Sequence, residues 1–233
     1  QAAILRTQGS EQPLELSMAE FHLNNWQWHK QRFHLQNATF GKLQLRDDVS
    51  QILFKQIKVA ASQFSEQHIQ LGKVTVQDSN NQLRFNAENQ LSLHANLTSW
   101  QQTLTATATK STKPALQPMP PTQDTPTLPI ALQGVELLGN HPITLDFSNL
   151  DLQQNLQLQT LNLGALATQR PEQVTPLTFA LKIGDYGAFT STGTLQAFSK
   201  PLKVNLENTL KALSLPPYSS LIAQAPGYEA ESG

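Results

Sequence analysis

The stretch LQLQTLNL, residues 156–163, decides the fold class of this chain. Its leucines come in two pairs, and one polar residue separates the members of each pair. Successive side chains of a β-strand point to opposite faces, so such a pair places both leucines on one face. A helix would instead need apolar residues three and four positions apart. The stretch therefore predicts a strand with one apolar and one polar face.

The same alternation covers most of the 233 residues. It shifts by one residue at Asn24-Asn25, Gly41, Gly72 and Asn80-Asn81, where a turn or a β-bulge costs little. Many short to medium strands are expected, and Asp185-Tyr186-Gly187 is typical of a hairpin turn. The predicted fold class is all-β, mainly antiparallel, with many amphipathic strands that form an extended, curved sheet or groove.

Two segments depart from this alternation and divide the chain. A Thr/Pro-rich stretch at 110–129 predicts a linker or long loop between a β-sheet module at 1–109 and a second one at 130–213. Residues 214–233 are interpreted as a hinge helix followed by the start of another unit. Ser214 is suited to cap that helix, and Tyr218, Leu221 and Ile222 share one of its faces.

Composition excludes several classes of function. The chain has 16 Lys+Arg against 17 Asp+Glu, so no cationic surplus supports nucleic-acid binding. It has no cysteine, which excludes disulfides, thiol nucleophiles and Cys-ligated zinc. Charged residues make up only 14%, against about 25% in typical soluble domains. Their place is taken by 28 Gln and 14 Asn, which gives a polar surface of neutral amides.

No pattern predicts catalysis, a metal or a cofactor. The six histidines show no spacing typical of metal ligands and occupy positions where Gln stands elsewhere. Asp146 and Asp151 would form an acid/base pair only if the fold brought them together. The chain contains no nucleophile elbow, phosphate-binding loop or dinucleotide-binding motif. A protein without enzymatic activity is expected.

The excess of one-sided strands is the main functional signal. Such strands bury their apolar faces on each other, in a sandwich or barrel, or leave an apolar trough that marks a binding surface. The sequence leaves these alternatives open. The candidate lipid-facing residues of the trough are Leu156, Leu158, Leu161, Leu163, Leu177, Phe179, Leu181, Ile183, Leu202, Val204 and Leu206.

Residues 128–233 resemble the repeat of the AsmA-like proteins of the bacterial envelope. The similarity begins with ITLDFSNL at 143–150 and continues through LNLGAL at 161–166, PLTFAL at 176–181 and KPLKVNL at 200–206. It ends with LSLPPY at 213–218 and GYEAESG at 227–233, which are similar to the hinge between consecutive repeats. The first module agrees more loosely, through FGKLQL at 40–45 and residues 69–76.

This resemblance implies a periplasmic protein, tethered to the inner membrane through a segment outside the chain. It implies an elongated β-groove with an apolar interior that serves lipid transport or outer-membrane homeostasis. The expected partners are membrane lipids and neighbouring repeats of the same chain, and the family supplies no catalytic residues. An all-β adhesin or glycan-binding module is the alternative, since an amide-rich surface suits it too. An enzyme acting on polysaccharides is a more distant one.

Overall fold

A computed structural model describes residues 3–6, 14–88, 90–93, 128–150 and 152–214. These residues form strands β1 (Ala3–Arg6), β2 (Glu15–Met18), β3 (Glu20–His29), β4 (Arg32–Arg46), β5 (Gln51–Val59), β6 (Ser62–Ser65), β7 (Ile69–Phe85), β8 (Ile130–Leu138), β9 (Pro142–Phe147), β10 (Leu152–Leu163), β11 (Leu166–Ala167), β12 (Thr175–Ile183), β13 (Gly187–Gln196) and β14 (Lys203–Lys211). The all-β prediction is confirmed, and only Ser92 and Leu93 among the described residues are helical. The predicted hinge helix after Ser214 lies outside the described residues.

All fourteen strands belong to one sheet, with the order β1-β2-β4-β5-β7-β8-β10-β12-β13-β14 along its main path. The other four strands prolong their neighbours: β3 continues β2, β6 continues β5, β9 continues β8, and β11 continues β10. Neighbours along the path are antiparallel except where β7 meets β8 and β9. The prediction of a mainly antiparallel sheet is therefore confirmed.

Several strands are longer than the alternation predicted. β4 has 15 residues and β7 has 17, whereas strands in globular proteins usually have about 5–6. The shifts in alternation do not end these strands. Residues with positive φ lie inside the strands instead: Asn25 (51°) in β3, Lys42 (51°) in β4 and Asp78 (52°) in β7. Such residues act as local irregularities that let a strand continue.

The two halves of the chain meet where β7 runs parallel to β8 and β9. This parallel joint pairs Ile69 with Ile130 at one end and Phe85 with Phe147 at the other. The sheet is thus continuous across the predicted linker at 110–129. At Gly134, with φ of +143°, a Cβ would approach the Leu163 carbonyl oxygen to 2.7 Å, so glycine lets neighbouring backbones come close there.

The described strands all belong to one sheet, and every pair of strands in extensive backbone contact is a hydrogen-bonded pair of that sheet. Buried apolar side chains are correspondingly few among the described residues: Leu14, Leu35, Ala38, Val76, Leu93, Leu152 and Ala167. A sandwich would bury whole rows of apolar residues between two sheets, and this part of the chain contains no such arrangement.

Candidate apolar binding face

Eight of the eleven candidate residues pair directly with one another across β10 and β12. Leu156 lies opposite Ile183 and Leu158 opposite Leu181. Leu161 lies opposite Phe179 and Leu163 opposite Leu177. Residues directly opposite each other lie on the same face of a sheet, where their side chains pack. We call these eight residues the apolar row.

A β-bulge keeps the apolar row on one face. The leucines of β10 change from even to odd positions between Leu158 and Leu161, which would send them to opposite faces in a regular strand. The register of β10 against β12 shifts between Leu158 and Thr160, so one extra residue stands at this point. β12 pairs with β13 in an unbroken register along its whole length. All four of its apolar residues, and hence all four of β10, therefore share one face.

Two of the remaining candidates extend the row onto the last strands. Leu206 lies opposite Gly193 and Val204 opposite Leu195, on the face that carries Leu177. Leu202 differs, because it stands in the turn before β14 and is 62% exposed. Leu202 is thus placed at the end of the sheet and outside the regular strand pairs of this face.

The face continues on strands whose residues were not among the candidates. Leu156 pairs with Ile143 of β9, and Leu163 pairs with Val135 of β8. Beyond the parallel joint, β7 adds residues that include Phe85, whose ring stacks on that of Phe147 at 4.7 Å. The alternation of β7 to β9 was visible in the sequence. The neighbours of these strands could not be predicted from the sequence, because the pairing is parallel and non-local.

Charged side chains are confined to the other face from β9 to β14. Asp146 lies opposite Gln153, Lys182 opposite Gln157, and Glu207 opposite Thr192. Each of these residues alternates along its strand with residues of the apolar face. The apolar face itself has a few neutral polar residues, such as Gln154 and Ser191. It is therefore chemically suited to hydrocarbon and offers no ionic group to a ligand.

The apolar row is only half-buried. All eight of its members keep an intermediate exposure. The strands in extensive backbone contact with β10 and β12 are their hydrogen-bonded neighbours in the sheet. Apolar side chains that stay partly exposed on a continuous surface are typical of a binding surface.

The first strands carry an aromatic cluster at one corner of the sheet. Trp26 and Trp28 of β3 lie with their ring centroids 6.1 and 6.4 Å from that of Phe33, and Phe64 lies 5.9 Å from Phe33 on the other side. Both tryptophans are largely exposed, at 58% and 67%. β3 pairs only with β4, so it forms an edge of the sheet among the described residues. The cluster was visible in the sequence as alternation, but its exposure was not.

The opposite face of the same strands is polar. Gln27, His34, Gln63 and Gln70 lie opposite one another across β3, β4, β6 and β7. They line an open pocket of about 460 Å³ together with Asn25, Leu35, Gln36, Ala61, Ser62 and Gln133. Amide groups donate and accept hydrogen bonds, so this pocket suits a neutral polar ligand.

Two carboxylates at the parallel joint are held in the charged form. Asn140 donates its backbone N–H to Asp78 Oδ1 at 2.7 Å, and this bond, assisted by Lys55, lowers the pKa of Asp78. Lys73 and Thr75 bind the carboxylate of Glu136 across the same pairing and lower its pKa, with Lys73 as the main cause. The Glu136 contacts link β7 to β8, and the Asp78 contacts link β7 to β5 and to the β8–β9 connection.

No arrangement typical of catalysis is found in the described residues. Asp146 pairs with Arg84 at 3.5 Å, and Asp151, its proposed acid/base partner, lies outside them. No group of three or more His, Asp or Glu comes together there to hold a metal ion. Within the same part of the chain, no helix has the length and apolar character needed to cross a membrane.

A scan against protein-family models finds no match for the chain, and a search of curated proteins finds none either.

Proposed function

We propose that this chain is a non-enzymatic, periplasmic segment of an AsmA-like envelope protein whose apolar face shelters the acyl chains of membrane lipids. The observation that carries the proposal is the apolar row, which is continuous across β10 and β12, free of charge and half-exposed. The resemblance of residues 128–233 to AsmA-like repeats supports the assignment to lipid transport or outer-membrane homeostasis.

The chemistry of the face sets its selectivity. Burial of one methylene of an acyl chain contributes about 0.8 kcal/mol. A long chain laid along leucine and phenylalanine side chains is therefore held by surface contact alone. Because the charged residues of β9 to β14 lie on the other face, the head group of the lipid finds no ionic partner beside its tail. We expect the segment to accept phospholipids with little preference for the head group.

Site-specific photo-crosslinking in cells tests this proposal. A photoreactive amino acid is placed in the full-length protein at four positions of the apolar row: Leu158, Leu163, Phe179 and Leu181. Matched controls on the opposite face are Gln157, Asn162 and Thr178, which alternate with them along the same strands. We expect lipid adducts at the first four positions and none at the controls. Equal labelling on both faces, or no labelling at all, would overturn the proposal.

The amide-lined pocket, on the face opposite the aromatic cluster, favours a second candidate, a glycan-binding module. Neutral amides such as Gln63 and Gln70 can donate and accept hydrogen bonds with the hydroxyl groups of a sugar. Within the described part of the chain, their side chains form no hydrogen bond that would compete with a ligand. Titration with neutral oligosaccharides, followed by NMR of the side-chain amides, tests this candidate. Shifts that disappear in Gln63→Ala but persist in Gln157→Ala would favour it over lipid binding.

A further inference from the structure

The two ends of the sheet carry opposite charges. We call the end where β4, β7, β8, β12 and β14 begin the basic end, and the end where β4, β7, β9, β12 and β14 finish the acidic end. Strand direction assigns each turn to one of them. The turns at 30–31, 66–68, 168–174 and 197–202 lie at the basic end, and those at 47–50, 86–88 and 184–186 lie at the acidic end.

Among the residues that the structure describes, four cations of the basic end form no ion pair. They are Lys30, Arg32, Arg170 and Lys200, all of them exposed. Lys203, which begins β14, is paired with Glu172 at 2.9 Å, so the charges of these two residues cancel. Among the described residues at this end, Glu66 is the remaining acid. The end as a whole is therefore positive.

The acidic end has the reverse balance. Its turns contain four acids, Asp47, Asp48, Glu88 and Asp185. Arg46 at the end of β4 is paired with Glu15 at 3.1 Å, and Arg84 near the end of β7 is paired with Asp146 at 3.5 Å. Arg6, which ends β1 opposite Glu15, and Lys211, which ends β14, are further cations at this end. The turns of the two ends therefore differ in the sign of their charge, although the net charge of the whole chain is only −1.

Large apolar side chains stand among the cations of the basic end. Trp28 precedes the turn that contains Lys30 and is 67% exposed. Phe198 and Leu202 flank Lys200 and are 40% and 62% exposed. Tryptophan is enriched at the level of lipid head groups, and cations are attracted to an anionic leaflet. This combination of aromatic and basic groups matches an anionic lipid surface better than it matches a folded protein.

We propose that the basic end of the sheet docks on an anionic phospholipid bilayer, with Trp28 and Phe198 in the head-group region and the acidic end directed away. After docking, lipid would reach the apolar row from the basic end. This second step rests on the proposed function. Docking itself is measured without any transfer of lipid, so the two can fail separately.

Charge reversal in the full chain is the first test. The basic-end variant combines Lys30→Glu, Arg170→Glu and Lys200→Glu. The matched variant combines Lys58→Glu, Lys182→Glu and Lys211→Glu, which are exposed, lie away from the basic end and change the net charge equally. Binding is measured by flotation with vesicles of phosphatidylcholine and phosphatidylglycerol. Pure phosphatidylcholine vesicles and a soluble polyanion, polyglutamate, serve as comparisons.

The expected loss depends on the number of cations removed. One cation near an anionic leaflet contributes about 1 kcal/mol, which is roughly fivefold in partitioning, so three should change it on the order of 100-fold. The matched variant should bind the anionic vesicles almost as well as the parent chain. Equal losses in both variants, equal binding to neutral vesicles, or equal binding to polyglutamate would overturn the proposal.

Tryptophan quenching is the second test and does not depend on charge variants. The chain has three tryptophans. One reporter keeps Trp28 alone, through Trp26→Phe and Trp100→Phe. The other removes all three by substitution with Phe and adds Tyr186→Trp in the turn at the acidic end, where Tyr186 is 79% exposed. Lipids brominated near the head group should quench the first reporter and leave the second unchanged.

Docking by the basic end and lipid binding by the apolar row are judged by different outcomes. Quenching of both reporters, or of neither, overturns docking by the basic end. Head-to-tail association of the chain, with the basic end of one copy on the acidic end of another, would also overturn it and would appear in sedimentation without lipid. Docking by the basic end without crosslinks at the apolar row would sustain this inference and reject lipid sheltering.

Discussion

The parallel joint and the antiparallel outer hairpins of the sheet differ in the surroundings of their side chains. At the joint, His141 is 1% exposed and Ser79 is 5% exposed, and both make side-chain hydrogen bonds. At the outer strand β14, Val204 and Leu210 remain more than half exposed. This difference in burial predicts that a change at these joint residues costs more stability than a change at the exposed residues of β14.

The largest effect on the free energy of unfolding is expected at Gly134 in the joint. Its φ of +143° is unfavourable for a residue with a side chain, and a Cβ would lie 2.7 Å from the Leu163 carbonyl oxygen. Strain together with overpacking predicts that Gly134→Val lowers the free energy of unfolding by about 3–5 kcal/mol. Urea denaturation followed by circular dichroism measures it.

A glycine in an outer hairpin provides the control. Gly184 also has a positive φ, +57°, but a Cβ there would have Gln154 Nε2 at 3.6 Å as its nearest neighbour. Asn tolerates this backbone region, so Gly184→Asn should cost less than about 1 kcal/mol. If the two variants were equally destabilised, the joint would have no special role in stability.

The second effect in size is expected at His141, the buried histidine of the joint. Its Nε2 lies 3.1 Å from the Leu138 carbonyl oxygen, which only accepts, so Nε2 carries a proton and donates it. Its Nδ1 lies 3.0 Å from Ser79 Oγ. His141→Ala leaves these buried groups without partners and opens a cavity, which should cost about 2–4 kcal/mol.

His29 at the end of β3 is the matched peripheral histidine, since it is exposed. His29→Ala should change the free energy of unfolding by less than about 0.5 kcal/mol. Thermal denaturation of both variants under one buffer condition makes the comparison. A loss at His29 as large as the loss at His141 would show that burial does not govern the difference.

Much of this fold could be predicted from the period of the sequence, and the physical reason is local. Alternation such as that of residues 156–163 depends only on neighbouring side chains, so it predicts strands and the shared face of each leucine pair. The bulge that brings both pairs to one face required the register with β12. The hairpin turn at 185–187 was predicted for the same reason, and the structure confirms it between β12 and β13. The lipid-facing role of the apolar row stays a prediction.

The long-range features were not predictable in this way. A shift in alternation is compatible with a turn or with a bulge, and only the register with neighbouring strands decides between them. Asn25 is one of the two residues at which the first shift in alternation occurs, whereas the irregularity in β7 falls at Asp78, two residues before Asn80. The parallel pairing of β7 with β8 joins residues more than fifty positions apart. No local pattern determines such a partner.

The smallest effect, and the one that varies with pH, is expected at Asp78 in the joint. The backbone N–H of Asn140 and the nearby Lys55 lower the pKa of this carboxyl below its usual range. A carboxyl whose pKa is lower in the folded state adds stability at neutral pH, and this contribution is lost as the pH falls through the folded pKa. The loss should therefore occur below about pH 4, under the usual carboxyl pKa. Asp78→Asn keeps an oxygen acceptor and removes the charge, so it should melt below the parent chain at pH 7. This difference in melting temperature should disappear as the pH falls toward about 2.

The control is Asp185→Asn in the exposed turn between β12 and β13, whose difference in melting temperature from the parent should stay small and constant across the same pH series. A gap at Asp78 that stays constant or widens in acid would mean that the charge of this carboxylate does not help to hold β7 against the β8–β9 connection.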